Sequence, residues 1–390
     1  MREMMGRHYL EGRHVEGVRP VAWVTSGAPT EILKALGFFL VYPENHAALC
    51  GARRRAEDLA TAAEEAGYSR HLCSYARTDL GAVLTGKTPV GRIPPPDLLL
   101  CCTNICQTVL LWYRVLADRF GCPLLLVDTP FLYEDEAAPH QIGFVRRQLE
   151  EMVPEAERVA GIPFSEHRFA EVVGRAREAS DLWMTILDRA RHRPSPITAF
   201  DAFINLGPIV DLRGDEATVR FYRGLLREVD GRIAAGVGAV ADERHRVLWD
   251  NLPIWYRIGS LARRLAERGV NVVASTYAQA WGELAGMMDP ADPFGSMARV
   301  YLHPILNRTA ESKLAAMRRM VVDYSIDGVI LHSDRSCKPY SLGQMDQRHR
   351  LIEEAGVAAV LLEADHNDPR AYSEAQVATR LEAFVEMMSP

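Results

Sequence analysis

The chain has 390 residues, too many for one ordinary core and too few for three full-sized ones, so two domains are expected. Hydrophobic residues make up 48% and charged residues 25%, with 28 Gly and 22 Pro, which excludes collagen, bulk disorder and a coiled-coil rod. Forty-five Lys+Arg against 51 Asp+Glu leave a formal charge of −6, and the bases are scattered rather than gathered into a stripe, which argues against nucleic acid as a partner.

The amino terminus has no apolar core of the kind a secretion signal needs, and no stretch approaches the roughly 18 apolar residues of a membrane span. The expectation is a cytoplasmic protein with no membrane partner. Seven cysteines in a reducing compartment do not make a disulfide framework, and an odd number cannot all pair within one chain. Metal, cluster or burial must account for them.

In chain order, the first expected strand covers 20–24 and runs into Thr25-Ser26-Gly27-Ala28-Pro29, whose hydroxyls read as caps of a helix starting near Pro29. The second strand, 38–41, is followed by Tyr42-Pro43-Glu44-Asn45-His46. There an acid and an imidazole stand close together, for proton transfer or for capping. A helix is expected over 46–66, with Cys50 buried in it, and Cys73 begins another after a polar turn.

Gly81 to Thr88 fits G-x-x-x-x-G-K-[ST] letter for letter. That loop needs a strand before it and a helix after it. Here a helix precedes and a proline-rich run, 89–96, follows, so no ATP site is expected. Neither a G-x-G-x-x-G nor a G-x-S-x-G motif occurs.

The third strand, 97–101, ends in Cys101-Cys102, and Cys106 opens the helix after it. A fourth strand covers 123–128, with Cys122 expected to be buried before it. An extended helical region, 141–193, then ends at Arg193-Pro194-Ser195-Pro196, where continued helix is disfavoured. Four more strands are expected over 246–249, 270–275, 328–332 and 357–363. Cys337 lies at the strand-to-helix switch after the third of these. The last leads into Glu363-Ala364-Asp365-His366-Asn367-Asp368, which reads as an acidic metal loop or, better, as caps for the following helix.

Strands alternating with helices predict an α/β protein with parallel sheets. The expected units are an N-terminal domain over 1–140, a helical segment over 141–195 and a C-terminal domain over 196–390. Ligands of such sheets sit outside the carboxyl ends of the strands, which is where Cys73, Cys106 and Cys337 fall. A thiol in the first turn of a helix is expected to ionise readily, making a metal ligand. Three such thiols converging in an interdomain crevice suit an iron–sulfur cluster with one open iron. The competing reading is three ordinary buried cysteines. Zinc is weaker, since Cys102 and Cys106 lack a matching pair.

At these same residues the sequence resembles the family that joins 2-hydroxyacyl-CoA dehydratases with ATP-dependent benzoyl-CoA reductases. The resemblance runs through Ser26 to Leu33, Tyr42 to His46, Gly67 to Arg77, Cys102 to Cys106, Asp128 to Pro130, Arg335 to Ser341 and the tail from Glu363, nearly the whole chain. It implies two facing Rossmann-like domains with a 4Fe-4S cluster between them on Cys73, Cys106 and Cys337. It also implies a homologous large subunit or a second copy of this chain as partner, an ATP-hydrolysing activase with its own iron–sulfur cluster, and an acyl-CoA substrate reduced by one electron.

Within the family, Cys102 to Thr108, with Gln107 where dehydratases more often carry Asp, and Arg335 to Tyr340 are more similar to the reductases. The expected function is therefore low-potential reduction of an aromatic acyl-CoA. The alternatives are an (R)-2-hydroxyacyl-CoA dehydratase subunit, a double-cubane protein and a non-catalytic electron-relay subunit. A double-cubane protein would carry an 8Fe-9S cluster on six cysteines, drawing on Cys101, Cys102 and Cys122. Glu44 and His46 are the expected proton donors, and Ser26 is expected beside the cluster.

Overall fold

The computed structural model describes residues 1–388. Two four-stranded, fully parallel sheets organise the chain. The first contains β1 (Val21–Val24), β2 (Phe39–Val41), β3 (Leu98–Cys102) and β4 (Leu124–Val127), and the second β5 (His245–Asp250), β6 (Val270–Ser275), β7 (Gly328–Asp334) and β8 (Ala358–Ala364). All eight lie within two residues of the sequence expectation. The reason is that parallel strands covered on both faces read as unbroken apolar runs; β1, β2 and β3 are buried at every position.

Both sheets have the same order, β2-β1-β3-β4 and β6-β5-β7-β8. The chain therefore reverses direction between β1 and β3 and again between β5 and β7. Open α/β sheets offer a crevice at such points, outside the strand carboxyl ends. Ser26-Gly27 leaves β1, Ile105-Cys106 follows β3, Leu252 leaves β5 and Cys337 follows β7.

Two segments depart from expectation. The helix expected over 46–66 is two helices, Pro43–Ala52 and Ala56–Glu65. Between them Arg54 takes φ 56°, and the amides of Arg54 and Arg55 close on Gly51 O and Cys50 O, a left-handed helix ending that the arginine run does not advertise. The helical region also continues far beyond 193. After the prolines, Thr198 and Asp201 form a reciprocal capping box (3.1 and 2.9 Å) that starts the helix Ala199–Asn205. The 19-residue helix Glu216–Ala234 follows before β5. The long helix Glu166–Asp188 is anchored to the second half through Trp183 Nε1, which donates to Ala278 O (2.8 Å).

The phosphate-loop match is a piece of helix. Gly81 lies within Ser74–Thr85, and Gly86 ends that helix at φ 67°. Gly81 is required because the neighbouring helix runs so close that a Cβ would sit 1.8 Å from the Leu59 carbonyl oxygen. Gly81→Ala is accordingly expected to lower unfolding free energy by about 1–3 kcal/mol, read from urea titration. An unchanged midpoint would mean that the helix pair separates freely.

No helix among the described residues is long and apolar enough to cross a membrane.

Candidate functional site

The carboxyl ends of both sheets open into one cleft with about 1360 Å³ of empty space, part of it open to solvent. Cys73, Cys106 and Cys337 all line it. Each is the N-cap residue of a helix: Ser74–Thr85, Gln107–Phe120 and Lys338–Ser341. The other four cysteines lie elsewhere. Cys101 and Cys102 point to opposite faces of β3 and are fully buried in separate core clusters. Cys50 is buried under the helix Ala56–Glu65, and Cys122, expected to be buried, is only half-buried. A six-cysteine set drawing on Cys101, Cys102 and Cys122 is not assembled here.

Backbone geometry builds the cleft floor. Asn104 Nδ2 donates to Gly27 O (3.0 Å) and Tyr301 O (2.9 Å), tying the loop after β3 to the loop after β1. A Cβ on Gly27 would lie 2.6 Å from Asn104 Oδ1 and 2.7 Å from Ile105, so only glycine permits the approach. Thr25, expected to cap the next helix, instead accepts the Cys102 amide on Oγ1 (3.3 Å), and that helix begins behind Pro29 with no side-chain cap.

At Cys106 and Cys337 burial dominates. It pushes Cys106 up to about 11 and Cys337 well above the usual thiol range, while helix amides of Thr108 and Val109 hold back the rise at Cys106. The expectation of a dipole-favoured thiolate is therefore corrected for Cys106 and Cys337: helix amides act there, and desolvation outweighs them. Such thiols give up their protons when a metal binds.

A single zinc ion would bring its sulfurs to about 3.8 Å from one another, given a Zn–S bond of ~2.3 Å and tetrahedral angles. The three sulfurs do not all lie within 4.8 Å of one another, so they do not converge on one ion. Three soft donors lining one cleft around a wider gap suit a polynuclear iron–sulfur group.

A second donor set, Asp334, Asp365 and His366, does converge within 4.8 Å. Its atoms are already engaged. His366 Nδ1 bonds Asp334 Oδ2 (2.6 Å), His366 Nε2 bonds Ser74 Oγ (2.9 Å), and Ser336 Oγ donates to Asp365 Oδ2 (2.6 Å). The Ser74 amide also donates to Ser336 Oγ (3.1 Å). Ser74 follows Cys73 and Ser336 precedes Cys337, so this buried network clamps two cysteine-bearing loops from opposite halves. Burial works against a charge on His366, yet Asp334 and Asp365 raise its pKa well above 6.5. The loop expected to be a metal site or a set of helix caps closes on itself, with Asp365 accepting the Asn367 and Asp368 amides (both 2.9 Å), and Asp368 caps the short 3-10 turn Pro369–Ala371 through the Arg370 amide (3.0 Å); it also delivers His366 to the cleft.

Ser26 and Glu44 line the cleft beside the cysteines. The Ser26 amide donates to both Glu44 oxygens (3.2 and 3.1 Å), but burial raises the carboxyl to about 7. It can hold a proton near neutrality. His46 is corrected: it does not line the cleft. On the same helix as Glu44, it is 1% exposed, its Nε2 is 3.5 Å from Cys50 Sγ, and burial depresses it to about 4. An imidazole that stays neutral and faces another thiol donates no proton in the cleft.

Trp112, Tyr277, Trp281, Leu252 and Met288 make most of the remaining wall apolar and aromatic. Sequence pattern singles out none of these residues, nor Arg213 and Tyr301, which also line the cleft. They come from segments whose facing depends on how the two halves pack.

The family model described as "2-hydroxyglutaryl-CoA dehydratase, D-component" matches residues 25–388. The chain is 33% identical to the (R)-2-hydroxyisocaproyl-CoA dehydratase alpha subunit of Clostridioides difficile, with 95% of this chain and 90% of that one covered. It is 31% identical to the (R)-phenyllactyl-CoA dehydratase alpha subunit of Clostridium sporogenes (94% and 89%). It is 30% identical to a subunit of the benzoyl-CoA reductase of Thauera aromatica (99% and 93%).

Proposed function

Because the chain belongs to the 2-hydroxyglutaryl-CoA dehydratase D-component family, we propose that it is the iron–sulfur subunit of an enzyme that dehydrates an apolar (R)-2-hydroxyacyl-CoA to the 2-enoyl-CoA. The observation that carries this reading is the convergence of Cys73, Cys106 and Cys337 with Glu44 on one largely apolar cleft. Both leading relatives are dehydratase alpha subunits. The similarity of Gln107 and the Arg335 to Tyr340 segment to the reductases does not outweigh that.

In this proposal Cys73, Cys106 and Cys337 hold a 4Fe-4S cluster, which when bound supplies a low-potential electron to the thioester. The aromatic wall excludes water and holds the acyl group by its apolar surface. Glu44, neutral up to about pH 7, places a proton where the hydroxyl leaves as water, and the Ser26 amide fixes that carboxyl. The net reaction is R–CH2–CH(OH)–CO–SCoA to R–CH=CH–CO–SCoA plus water, so electrons are returned rather than consumed. The D-component match and the alpha-subunit relatives support a second subunit and an activase as partners.

A second reading, reduction of an aromatic acyl-CoA ring, is favoured by the benzoyl-CoA reductase relative and by the aromatic wall. The discriminating experiment uses protein purified without oxygen, with its co-purifying subunit, ATP and a family activase. Iron is counted first: about four per chain fits a single cubane, and about eight a double-cubane protein. Turnover of (R)-2-hydroxy-4-methylpentanoyl-CoA with catalytic amounts of reductant supports dehydration. Loss of benzoyl-CoA with stoichiometric electron uptake would replace it with reduction.

A further inference from the structure

At the wall of the cleft formed by Val210, Val300 and Tyr301 stands the guanidinium of Arg213. A lone arginine there would be a ready anchor for an acyl group ending in a carboxylate. It is already engaged. Arg213 Nε donates to Glu31 Oε1 (2.9 Å), Arg213 Nη2 donates to the Tyr301 hydroxyl (2.8 Å), and that hydroxyl donates to Glu31 Oε2 (2.6 Å). Glu31 is 1% exposed and Arg213 8%. The remaining guanidinium nitrogen, Nη1, makes no hydrogen bond among the described residues.

The three residues come from separate places: the helix Thr30–Ala35, the loop after Gly207–Asp211 and the helix Pro293–Leu302. A buried ion pair assembled from three segments is not a cheap source of stability, since desolvation cancels much of its attraction. The other charged cleft residues offer no substitute cation: Glu44 is an acid, and His366 is paired with Asp334.

We infer that the Glu31–Arg213–Tyr301 triad sets the acyl specificity of the cleft, cancelling the arginine charge so that neutral acyl ends enter and carboxylate-bearing ones are excluded. This rests on the reading of the cleft as an acyl-CoA site. A substrate carboxylate entering here meets a cation whose charge is spent and a carboxylate of its own sign behind it. Removing the charge of Glu31 alone leaves an uncompensated cation on a residue that lines the cavity.

The test compares dissociation constants for two unreactive probes of matched shape, 5-methylhexanoyl-CoA and glutaryl-CoA, which differ in an isopropyl against a carboxylate end. The full chain, loaded with iron and with any co-purifying subunit, is titrated without oxygen. Wild type is expected to bind the methylhexanoyl thioester about 100-fold more tightly. Glu31→Gln is expected to tighten glutaryl-CoA binding by about tenfold or more, and Glu31→Gln combined with Arg213→Met to abolish that gain. Equal binding of the two probes by wild type overturns the inference whether or not the variants fold. So does a folded, iron-replete Glu31→Gln protein with no gain for glutaryl-CoA. Binding of neither thioester by wild type overturns the acyl-CoA reading itself, and the inference with it.

Discussion

Alanine at Cys73, Cys106 or Cys337 is expected to reduce bound iron from about four per chain to less than one, each alone, while alanine at Cys50, Cys101 or Cys122 leaves it intact. Two sulfurs cannot hold a group that needs three, and among the described residues no spare thiol lines the cleft to replace the lost one. The control variants matter because Cys50 and Cys101 are as buried as any core residue. Their replacement changes packing without touching the donor set. Iron and acid-labile sulfide on anaerobic protein are the measurement. Full iron in all three cleft variants would remove the ligand assignment.

Glu44→Gln separates activity from stability. General acid catalysis typically contributes about 10²–10⁴-fold, so turnover is expected to fall by about that factor. The folded protein should meanwhile become more stable at pH 8. In the native state burial raises the Glu44 carboxyl from 4.5 to about 7, so between those values the folded chain binds a proton that the unfolded chain has lost. This group's contribution is therefore fully present below pH 4.5, falls as pH rises, and is gone above about 7. Glutamine carries no such cost and can still accept the Ser26 amide. The expected gap is about 3 kcal/mol at pH 8 and close to zero at pH 4, read from urea midpoints of apo wild type and variant. Equal midpoints at pH 8 would show that burial does not strain this carboxyl, and undiminished turnover would take it out of proton transfer.

The strands and two of the three cleft cysteines, Cys106 and Cys337, were legible for the same reason, whereas Cys73 sits between two helices and follows no strand. Leu98-Leu99-Leu100 or Gly328-Val329-Ile330-Leu331 cannot be satisfied except inside a sheet, and in parallel sheets the loop leaving each strand must be at the ligand-binding end. Position in the chain then becomes position in space. His46 shows the limit. It shares a helix with Glu44, but two steps along a helix turn a side chain by about 200°, so one faces the cleft and the other Cys50. Arg213 and Tyr301 were invisible for another reason. Their role exists only as a mutual arrangement with Glu31, 182 and 270 positions away. The helix break at Arg54 was hidden because a left-handed residue is usually signalled by glycine, and here it is arginine.

The matching strand order of the two sheets makes Cys106 and Cys337 counterparts, each starting a helix directly after the third strand of its own half. Under the proposed assignment, a group held by both, and by Cys73, would bridge the seam as well as supply the chemistry. Drawing it out would leave that side fastened by the serine, histidine and aspartate clamp together with the buried Arg77–Asp368 pair (2.9 Å) and Asn367 Nδ2 on Ala47 O and Thr78 Oγ1 (both 3.0 Å). Loss of the group would then take the chemistry while one core shared by both halves keeps the seam closed, so a partly metallated preparation would be one shape at two occupancies.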